Sequence, residues 1–159
     1  TIQKYVSALN TGKRKNWCGN IPLELLKCIS SHEPFIYNGH PLAQTLQGYR
    51  RELRDLYSKE YKIEDYGKYD IVQIECPQNI QGVIAAQKIK NKPIIVMNKL
   101  DGEIIGSMRV PDDLDFDAGK FLDTFNGKIP TFLGGGHTKA GGFSFVEEHL
   151  DAFLNLLRQ

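Results

Sequence analysis

The run GGGHTKAGG at residues 134–142 is the part of the sequence whose residue types and spacing point most clearly to chemistry. It holds five of the chain's 15 glycines within nine residues. Glycine offers no side-chain contacts and raises the entropic cost of folding, so this density needs a reason. Successive bare backbone N–H groups form a concave nest for an anion, and His137 and Lys139 add donors and charge there. The run therefore predicts a phosphate-binding loop.

A glycine-rich hairpin is the structural alternative for this run. The flanking segments 130–133 and 142–145 both look like strands, but a hairpin turn needs only one or two glycines. We therefore favour a ligand loop, in which Gly134, Gly135 and Gly136 approach the ligand closely. The run lacks the GxxxxGK[ST] pattern of a P-loop, and no helix opens directly after the glycines as a dinucleotide fingerprint requires.

Two polar side chains of the run, those of His137 and Lys139, each have two interpretations. His137 either donates a hydrogen bond to a phosphate or pins the loop by bonding a carbonyl group. It alone of the four histidines stands among glycines, which favours binding. A metal-ligand role is disfavoured because no second histidine or carboxylate lies nearby in sequence. Lys139 either reaches a neighbouring phosphate or is a solvated loop lysine.

A second candidate group lies near the end of a predicted strand. A guanidinium binds phosphate through two parallel hydrogen bonds, so Arg109 is a candidate phosphate ligand. The alternative for Arg109 is a surface salt bridge with Asp112 or Asp113. Ser107 lies two residues earlier and therefore on the same face of the strand. Its hydroxyl either joins the phosphate site or makes a cross-strand hydrogen bond.

Basic residues in the first third of the chain are candidates for contacts with a nucleic-acid strand. Lys13 and Arg14 belong to a short basic run, which is otherwise a solvated loop. Arg50 and Arg54 stand four residues apart on a predicted helix, where like charges repel slightly. Either an anionic partner offsets this repulsion or the fold tolerates it. Trp17 either stacks on a base or belongs to the core.

The composition limits the classes of partner. A formal net charge of +1 leaves no global basic field, so any anion site must be local. The three cysteines form no CxxC pair, which disfavours a disulfide framework or zinc site and suits a reducing cytoplasm. No apolar stretch is long enough to cross a membrane and no signal-peptide pattern is present. We expect a cytoplasmic protein with no membrane partner.

The elements that must position these residues fall into two regions. Residues 1–68 read as a helical connector, with one apolar seam over residues 41–60 followed by a polar joint at 61–68. The seam residues are spaced four, three, four and three apart; they are Leu42, Leu46, Tyr49, Leu53 and Leu56. A shorter helix is predicted from Pro22 to Ile29, with proline in its first turn.

Residues 69–159 predict an α/β domain with a mixed β-sheet flanked by helices. The continuous apolar run within Pro93–Met97 indicates a strand buried on both faces. Asp101-Gly102 is typical of a hairpin turn. The predicted strands are Asp70–Glu75, Pro93–Met97 and Ile104–Val110. The predicted helices are Asn79–Lys90, Asp117–Phe125 and Val146–Leu157.

These segments together resemble a known family. The sequence GGGHTKAGGFSF at 134–145 resembles the glycine-glycine-histidine signature of the DHH-associated C-terminal domain of DHH-family phosphoesterases, found in RecJ-type exonucleases and oligoribonucleases. Segments 81–89, 92–97, 106–109 and 116–125 resemble further elements of that domain in the same order. Segments 9–14 and 22–26 are similar to the RecJ connector, and 41–60 to the helix that joins the RecJ domains.

The resemblance implies the substrate-holding part of a RecJ-like, single-strand-specific exonuclease of DNA repair or replication. One departure is Ala140-Gly141-Gly142, where the family usually has Ala-Ala-Gly. The sequence contains no Asp-His-His segment, where the family holds its catalytic Mn²⁺ or Mg²⁺. We therefore expect no cofactor and no catalytic residue in this chain, which would not hydrolyse nucleic acid alone.

The resemblance also implies the partners. They are single-stranded nucleic acid or an oligonucleotide, together with a missing DHH domain or a replication partner protein. Two alternatives stay open. One is a non-catalytic scaffold of the replication fork, and the other is a domain of a phosphatase acting on small oligonucleotides or nucleotides.

Overall fold

The computed structural model describes residues 2–15, 18–28 and 40–159. The chain divides into two compact units, one comprising residues 1–59 with 77–80 and the other residues 60–76 with 81–159. We call them the helical unit and the sheet unit. The expected division into residues 1–68 and 69–159 stays a prediction about domain organisation. Trp17, considered above as a base-stacking residue, lies outside the described residues.

The helical unit is built from three described helices. They are α1 (Ile2–Arg14), α2 (Ile21–Cys28) and α3 (Pro41–Tyr57). The helix predicted from Pro22 is therefore present as α2. His40 caps α3 by accepting a hydrogen bond from the Leu42 N–H, and Pro41 occupies the first turn, where its missing N–H costs nothing.

The apolar seam of α3 faces the other helices of its own unit. Leu46 and Leu53 are buried, while Leu42, Tyr49 and Leu56 are half-buried. Leu46 joins a small core with Ala8 of α1, Leu25 of α2, and with Cys18 and Ala43. The predicted helical periodicity of the seam is confirmed.

The sheet unit contains a six-stranded mixed sheet with helices. Its strands are β1 (Glu64–Asp65), β2 (Asp70–Glu75), β3 (Ile94–Leu100), β4 (Glu103–Arg109), β5 (Leu133–His137) and β6 (Ala140–Val146). Its helices are α4 (Gln81–Lys88), α5 (Ala118–Asp123) and α6 (Leu150–Leu157), with a 3₁₀ turn at Glu147–His149. The spatial order is β1-β2-β3-β4-β6-β5. The predicted mixed α/β fold is confirmed.

Among the strand pairs of this described sheet, only β2–β3 is parallel, and α4 supplies the crossover that a parallel pair requires. β3 is buried on both faces over its first five residues, as its continuous apolar run predicts. Asp101 and Gly102 turn the chain from β3 into β4 with φ angles of 52° and 80°. These values match the two positive φ angles that a two-residue hairpin favours, so this turn prediction is confirmed.

One face of the sheet carries an aromatic core. Phe153 of α6 is fully buried, and its ring lies 5.1 Å from the rings of Phe125 and Phe145 and 5.2 Å from Phe143. Each large aromatic ring removes much apolar surface from water, and the offset packing adds to this. This core holds β6 and the glycine run in place from one side.

The predicted helix Val146–Leu157 is wrong at its start. Val146 ends β6, where it pairs with Glu103 and donates its N–H to the Thr131 hydroxyl. A 3₁₀ turn follows, and α6 begins only at Leu150. The pairing across the sheet outweighs the local helical spacing. The helix predicted from Asn79 likewise begins later, at Gln81.

Candidate phosphate-binding site

The glycine run forms a hairpin, so the predicted loop conformation between two strands is wrong, whereas phosphate binding by the run stays a prediction. Gly134, Gly135 and Gly136 lie within β5, Gly141 and Gly142 lie within β6, and Thr138-Lys139 is the two-residue turn. Segment 130–132, predicted as a strand, precedes β5 as part of a turn. Helix α5 packs directly against this part of the sheet.

Close packing accounts for several of these glycines. A Cβ added at Gly119 of α5 would lie 2.6 Å from the carbonyl oxygen of Gly136. A Cβ at Gly141 would overlap the Leu122 side chain and lie 3.0 Å from the Gly135 carbonyl oxygen. A Cβ at Gly136 would overlap the Ala140 carbonyl oxygen. These positions are glycine because backbone meets backbone there, whether or not a ligand binds.

Two other glycines have no such packing reason. A Cβ added at Gly135 would meet no atom within 4 Å, and one at Gly142 would meet only the Gly106 carbonyl oxygen, at 3.8 Å. Gly135 and Gly142 pair directly with each other, and the next residue of β6, Phe143, belongs to the aromatic core. Because successive residues of a strand face opposite sides, both glycines lie on the sheet face opposite that core. An open glycine surface of this kind admits a ligand close to the backbone.

The strand register places the predicted site residues on this face. Directly paired residues share a face, so Arg109, Ala140 and His137 form one cross-strand row. Ser107, Gly142 and Gly135 form the next row. We call these two rows the glycine face. Two strand spacings separate Arg109 from His137, roughly 9–10 Å between backbones, with only the methyl group of Ala140 between them.

The helix on this side of the sheet leaves part of the glycine face open. Helix α4 contacts β3 and β4, and a Cβ at Gly82 would lie 3.6 Å from the Ser107 hydroxyl. Ser107 is therefore half-covered, whereas Gly142 and His137 are exposed. The open area thus begins at β6 and continues to the sheet edge at β5.

His137 and Gly135 also line a cavity of about 530 Å³ along the sheet edge. Its remaining lining residues are Asp117, Gly119, Lys120, Asp123, Gly136 and Thr138. The Asn126 side chain pairs with both the N–H and the carbonyl oxygen of Gly134, at 2.9 Å each. Gly136 has the same orientation in the strand as Gly134, so its N–H points to the open edge.

The sequence did not predict that α5 lines the cavity at this edge or that Asn126 bonds Gly134 there. Asp117 caps α5 by accepting a hydrogen bond from the Lys120 N–H at 2.9 Å, and Lys120 then lies beside the glycine strand. Aspartate is a preferred N-cap residue, so the sequence contained a sign that Asp117 begins a helix. No local pattern shows that this helix start faces β5, because that depends on the packing of Gly119 against Gly136.

Arg109 lies in the predicted row, but its side chain lines a different cavity of about 370 Å³. Asp112 and Asp113 line the same cavity, yet neither forms a salt bridge with Arg109 in the described part of the chain. The Arg109 Nε atom is buried without a hydrogen-bond partner among the described residues. The salt-bridge alternative is therefore not observed, and the guanidinium keeps its capacity to bind an anion.

Lys139 has a structural role that neither interpretation anticipated. Its Nζ donates hydrogen bonds to the carbonyl oxygens of Pro111, at 3.2 Å, and Leu114. A lysine ammonium has three donors, so one is left for a ligand. The prediction that Lys139 reaches a phosphate stays a prediction.

The four predicted strand-contact residues lie in the helical unit. Arg14, Arg50 and Arg54 line one cavity of about 180 Å³, and Lys13 is exposed and does not line it. The neighbouring Lys15 pairs with Glu52 and lies over the Tyr49 ring. Three of these four residues are thus brought together by the packing of α1 and α3.

The chain offers no metal centre in its described part. Among residues 2–15, 18–28 and 40–159, no group of three or more histidine, cysteine, aspartate or glutamate side chains could hold a metal ion. Mn²⁺ or Mg²⁺ therefore does not fit the residues described. Within the same ranges, no helix combines the length and apolar character needed to span a bilayer.

Comparison with solved structures shows the same fold in three larger proteins. RecJ from Thermus thermophilus in complex with Mg²⁺ matches with a TM-score of 0.60 and 18% identity, over 95% of this chain and 24% of RecJ. The pGpG-specific phosphodiesterase PggH of Vibrio cholerae matches with a TM-score of 0.60 and 14% identity, over 99% of this chain and 56% of PggH. CDC45 from Entamoeba histolytica matches with a TM-score of 0.51 and 14% identity, over 98% of this chain and 36% of CDC45.

This chain therefore spans only part of each of those proteins, between about a quarter and about a half of their length. At these identities the likeness concerns the fold alone. No curated protein matches the chain in sequence. The family profile of the DHHA1 domain, by contrast, matches residues 71–159, which is more than half of the chain and includes both rows of the glycine face. The chain therefore belongs to the DHHA1 domain family.

Proposed function

We propose that the sheet unit binds the phosphate backbone of a single nucleic-acid strand. In this proposal it acts as the substrate-holding domain of a RecJ-like phosphodiesterase, whose metal-dependent chemistry belongs to a DHH domain that this sequence does not contain. The observation that carries the proposal is the row Arg109–Ala140–His137 beside the open glycines. Membership of the DHHA1 family and the fold shared with RecJ support it.

The glycine face suits a phosphate for three physical reasons. Gly135 and Gly142 leave no side chain to hold a ligand away from the backbone. His137 is exposed at one end of the row and donates a hydrogen bond in either protonation state. Arg109, at the other end, offers a permanently charged fork that matches phosphate oxygens. A phosphate over Ala140 lies within reach of both side chains, once the Arg109 guanidinium turns toward it.

Such a site positions a strand without reading its sequence. Phosphate contacts carry no base information, and their affinity falls as salt rises because bound counterions are released from the strand. With a net charge of only +1, the chain has no long-range field to add to these contacts. We expect weak, salt-dependent and sequence-tolerant binding by the chain alone. In a complete enzyme these contacts would hold a phosphodiester for the metal-dependent chemistry that the DHH domain would supply.

Fluorescence anisotropy with labelled single-stranded oligonucleotides tests the proposal. Arg109→Ala should weaken binding of oligothymidylate and oligoadenylate alike, by about tenfold, as expected for one hydrogen bond to a charged group. His137→Ala should weaken both in the same direction. Lys128→Ala is the matched control, because Lys128 is an exposed cation of the same unit outside the glycine face. Circular dichroism should establish that each variant is folded.

Three outcomes distinguish the proposal from its alternatives. Equal effects of Arg109→Ala and Lys128→Ala would mean that non-specific charge attraction accounts for the binding, and would overturn the assignment of the phosphate site to the glycine face. Binding that does not strengthen from dinucleotides to longer strands would favour a small-oligonucleotide phosphatase. No binding of any strand at low salt would favour the scaffold role.

A further inference from the structure

The helical unit contains a cavity whose charge is unbalanced. Arg14 near the end of α1 and Arg50 and Arg54 of α3 line this space of about 180 Å³, together with the hydroxyl residues Ser7 and Thr11. We call it the arginine cavity. Its described lining residues all belong to α1 and α3 of the helical unit.

No carboxylate neutralises this cavity in the described part of the chain. None of the three arginines forms a salt bridge there, and no aspartate or glutamate lines the space. Glu52, the acidic residue between Arg50 and Arg54 in sequence, pairs instead with Lys15. Glu52 therefore neutralises a lysine and not the three arginines that line the cavity.

This arrangement has an energetic cost that an anion would remove. Arg14 and Arg50 are half-buried, and each carries the positive charge of its guanidinium group. Arg50 and Arg54 stand one turn apart on α3, where like charges repel. Burial reduces the screening by water, so both the repulsion and the attraction for an anion exceed those at an open surface.

The cavity chemistry selects among anions. Each guanidinium presents donors in a planar fork, which matches the paired oxygens of a phosphate. The space holds about six water molecules at roughly 30 Å³ each, enough for one phosphate group with part of its hydration. A single carboxylate would neutralise only one of three charges, whereas a phosphate group offers more acceptor oxygens.

We propose that the arginine cavity is a phosphate-binding site, separate from the glycine face and independent of the function proposed above. Its ligand is a phosphate group, supplied either by a nucleic-acid strand or by free inorganic phosphate. Arg14, Arg50 and Arg54 hold the phosphate oxygens.

Isothermal titration of the 159-residue chain with inorganic phosphate, at constant ionic strength in chloride buffer, tests the site directly. We expect Arg50→Gln to weaken phosphate binding by about tenfold or more, because one charge-assisted contact is lost. Arg51→Gln removes the same charge from the adjacent residue, which is exposed and does not line the cavity, and should change binding by less than about twofold. If Arg50→Gln fails to fold, Arg54→Gln replaces it, since Arg54 is exposed on the rim.

A second arm repeats the comparison with a labelled oligothymidylate and identifies the source of the phosphate. Loss of both phosphate and strand binding in Arg50→Gln, but not in Arg51→Gln, would support a strand phosphate. Loss of inorganic phosphate binding alone would support free phosphate. Equal behaviour of Arg50→Gln and Arg51→Gln with both probes, or no phosphate binding by the unmodified chain, would overturn the proposal. Repeating the comparison in an Arg109→Ala background removes the arginine of the glycine face, so an effect of Arg50→Gln that persists there belongs to the arginine cavity, and failure of the glycine-face proposal is scored separately.

Discussion

Two adjacent glycines of β5 should respond in opposite ways to the same substitution. Gly136→Ala should destabilise the sheet unit, because the new Cβ would overlap the Ala140 carbonyl oxygen and lie 2.5 Å from the Gly141 Cα. These are backbone atoms and cannot rotate away. The φ angle of Gly136 is 155°, a conformation that side-chain-bearing residues rarely adopt. Overpacking and backbone strain each cost about 1–3 kcal/mol, so together we expect a loss of about 2–6 kcal/mol.

Gly135→Ala should leave the fold intact and reduce binding. Its Cβ would meet no atom within 4 Å, and alanine is better than glycine within a strand by about 0.5–1 kcal/mol. Stability should therefore stay equal or rise slightly. The methyl group would stand on the glycine face and hold a phosphate away from the surface. Losing one hydrogen bond to a charged group costs about 1.5–3 kcal/mol, or roughly 12- to 150-fold in Kd.

Thermal melting by circular dichroism measures the first effect, and anisotropy with a labelled oligothymidylate measures the second. For a chain of this size, a loss of about 2–6 kcal/mol corresponds to a decrease of roughly 4–24 °C in the melting temperature. A Gly136→Ala variant as stable as the unmodified chain would refute the packing argument. A folded Gly135→Ala variant with unchanged affinity would refute the glycine face as a phosphate contact.

Three further outcomes are expected. Phe153→Ala should destabilise the sheet unit by about 3–5 kcal/mol in denaturant unfolding, because a fully buried ring is lost from the aromatic core, and a loss below about 1 kcal/mol would contradict that core. Lys92 bonds Asp65 at 2.7 Å and Asp70 at 3.0 Å, and its hydrogen bond holds the pKa of Asp65 below the ordinary value. The stability that the Lys92–Asp65 interaction adds is present above about pH 4 and is lost as the pH falls through the folded-state pKa of Asp65. The melting temperatures of Lys92→Ala and the unmodified chain should therefore converge in acid. The chain alone should not cleave labelled oligonucleotides with any added metal, and metal-dependent cleavage that copurifies with it would contradict the assignment of the chemistry to a DHH domain.

Local patterns of apolar and polar residues predicted most of the sheet unit because they reflect which residues are buried. Strand β2 spans the predicted residues Asp70–Glu75, and the apolar run of β3 is buried on both faces. The turn at Asp101-Gly102 needs only the conformational preferences of its own two residues. The α3 seam likewise reflects a single helix repeat. In each case the deciding interaction lies within a few residues along the chain.

The site depended on contacts between distant segments, and there the sequence alone was insufficient. The sequence identified the glycine run and Arg109 as chemically unusual, but it predicted a loop for the run. Only the packing of Gly119 against Gly136 shows why a strand needs glycine there. Residue types and their spacing thus determined the fold class and the candidate residues. Strand register and helix packing, which join residues far apart in sequence, decided that Arg109 and His137 share one row and that three arginines share one cavity.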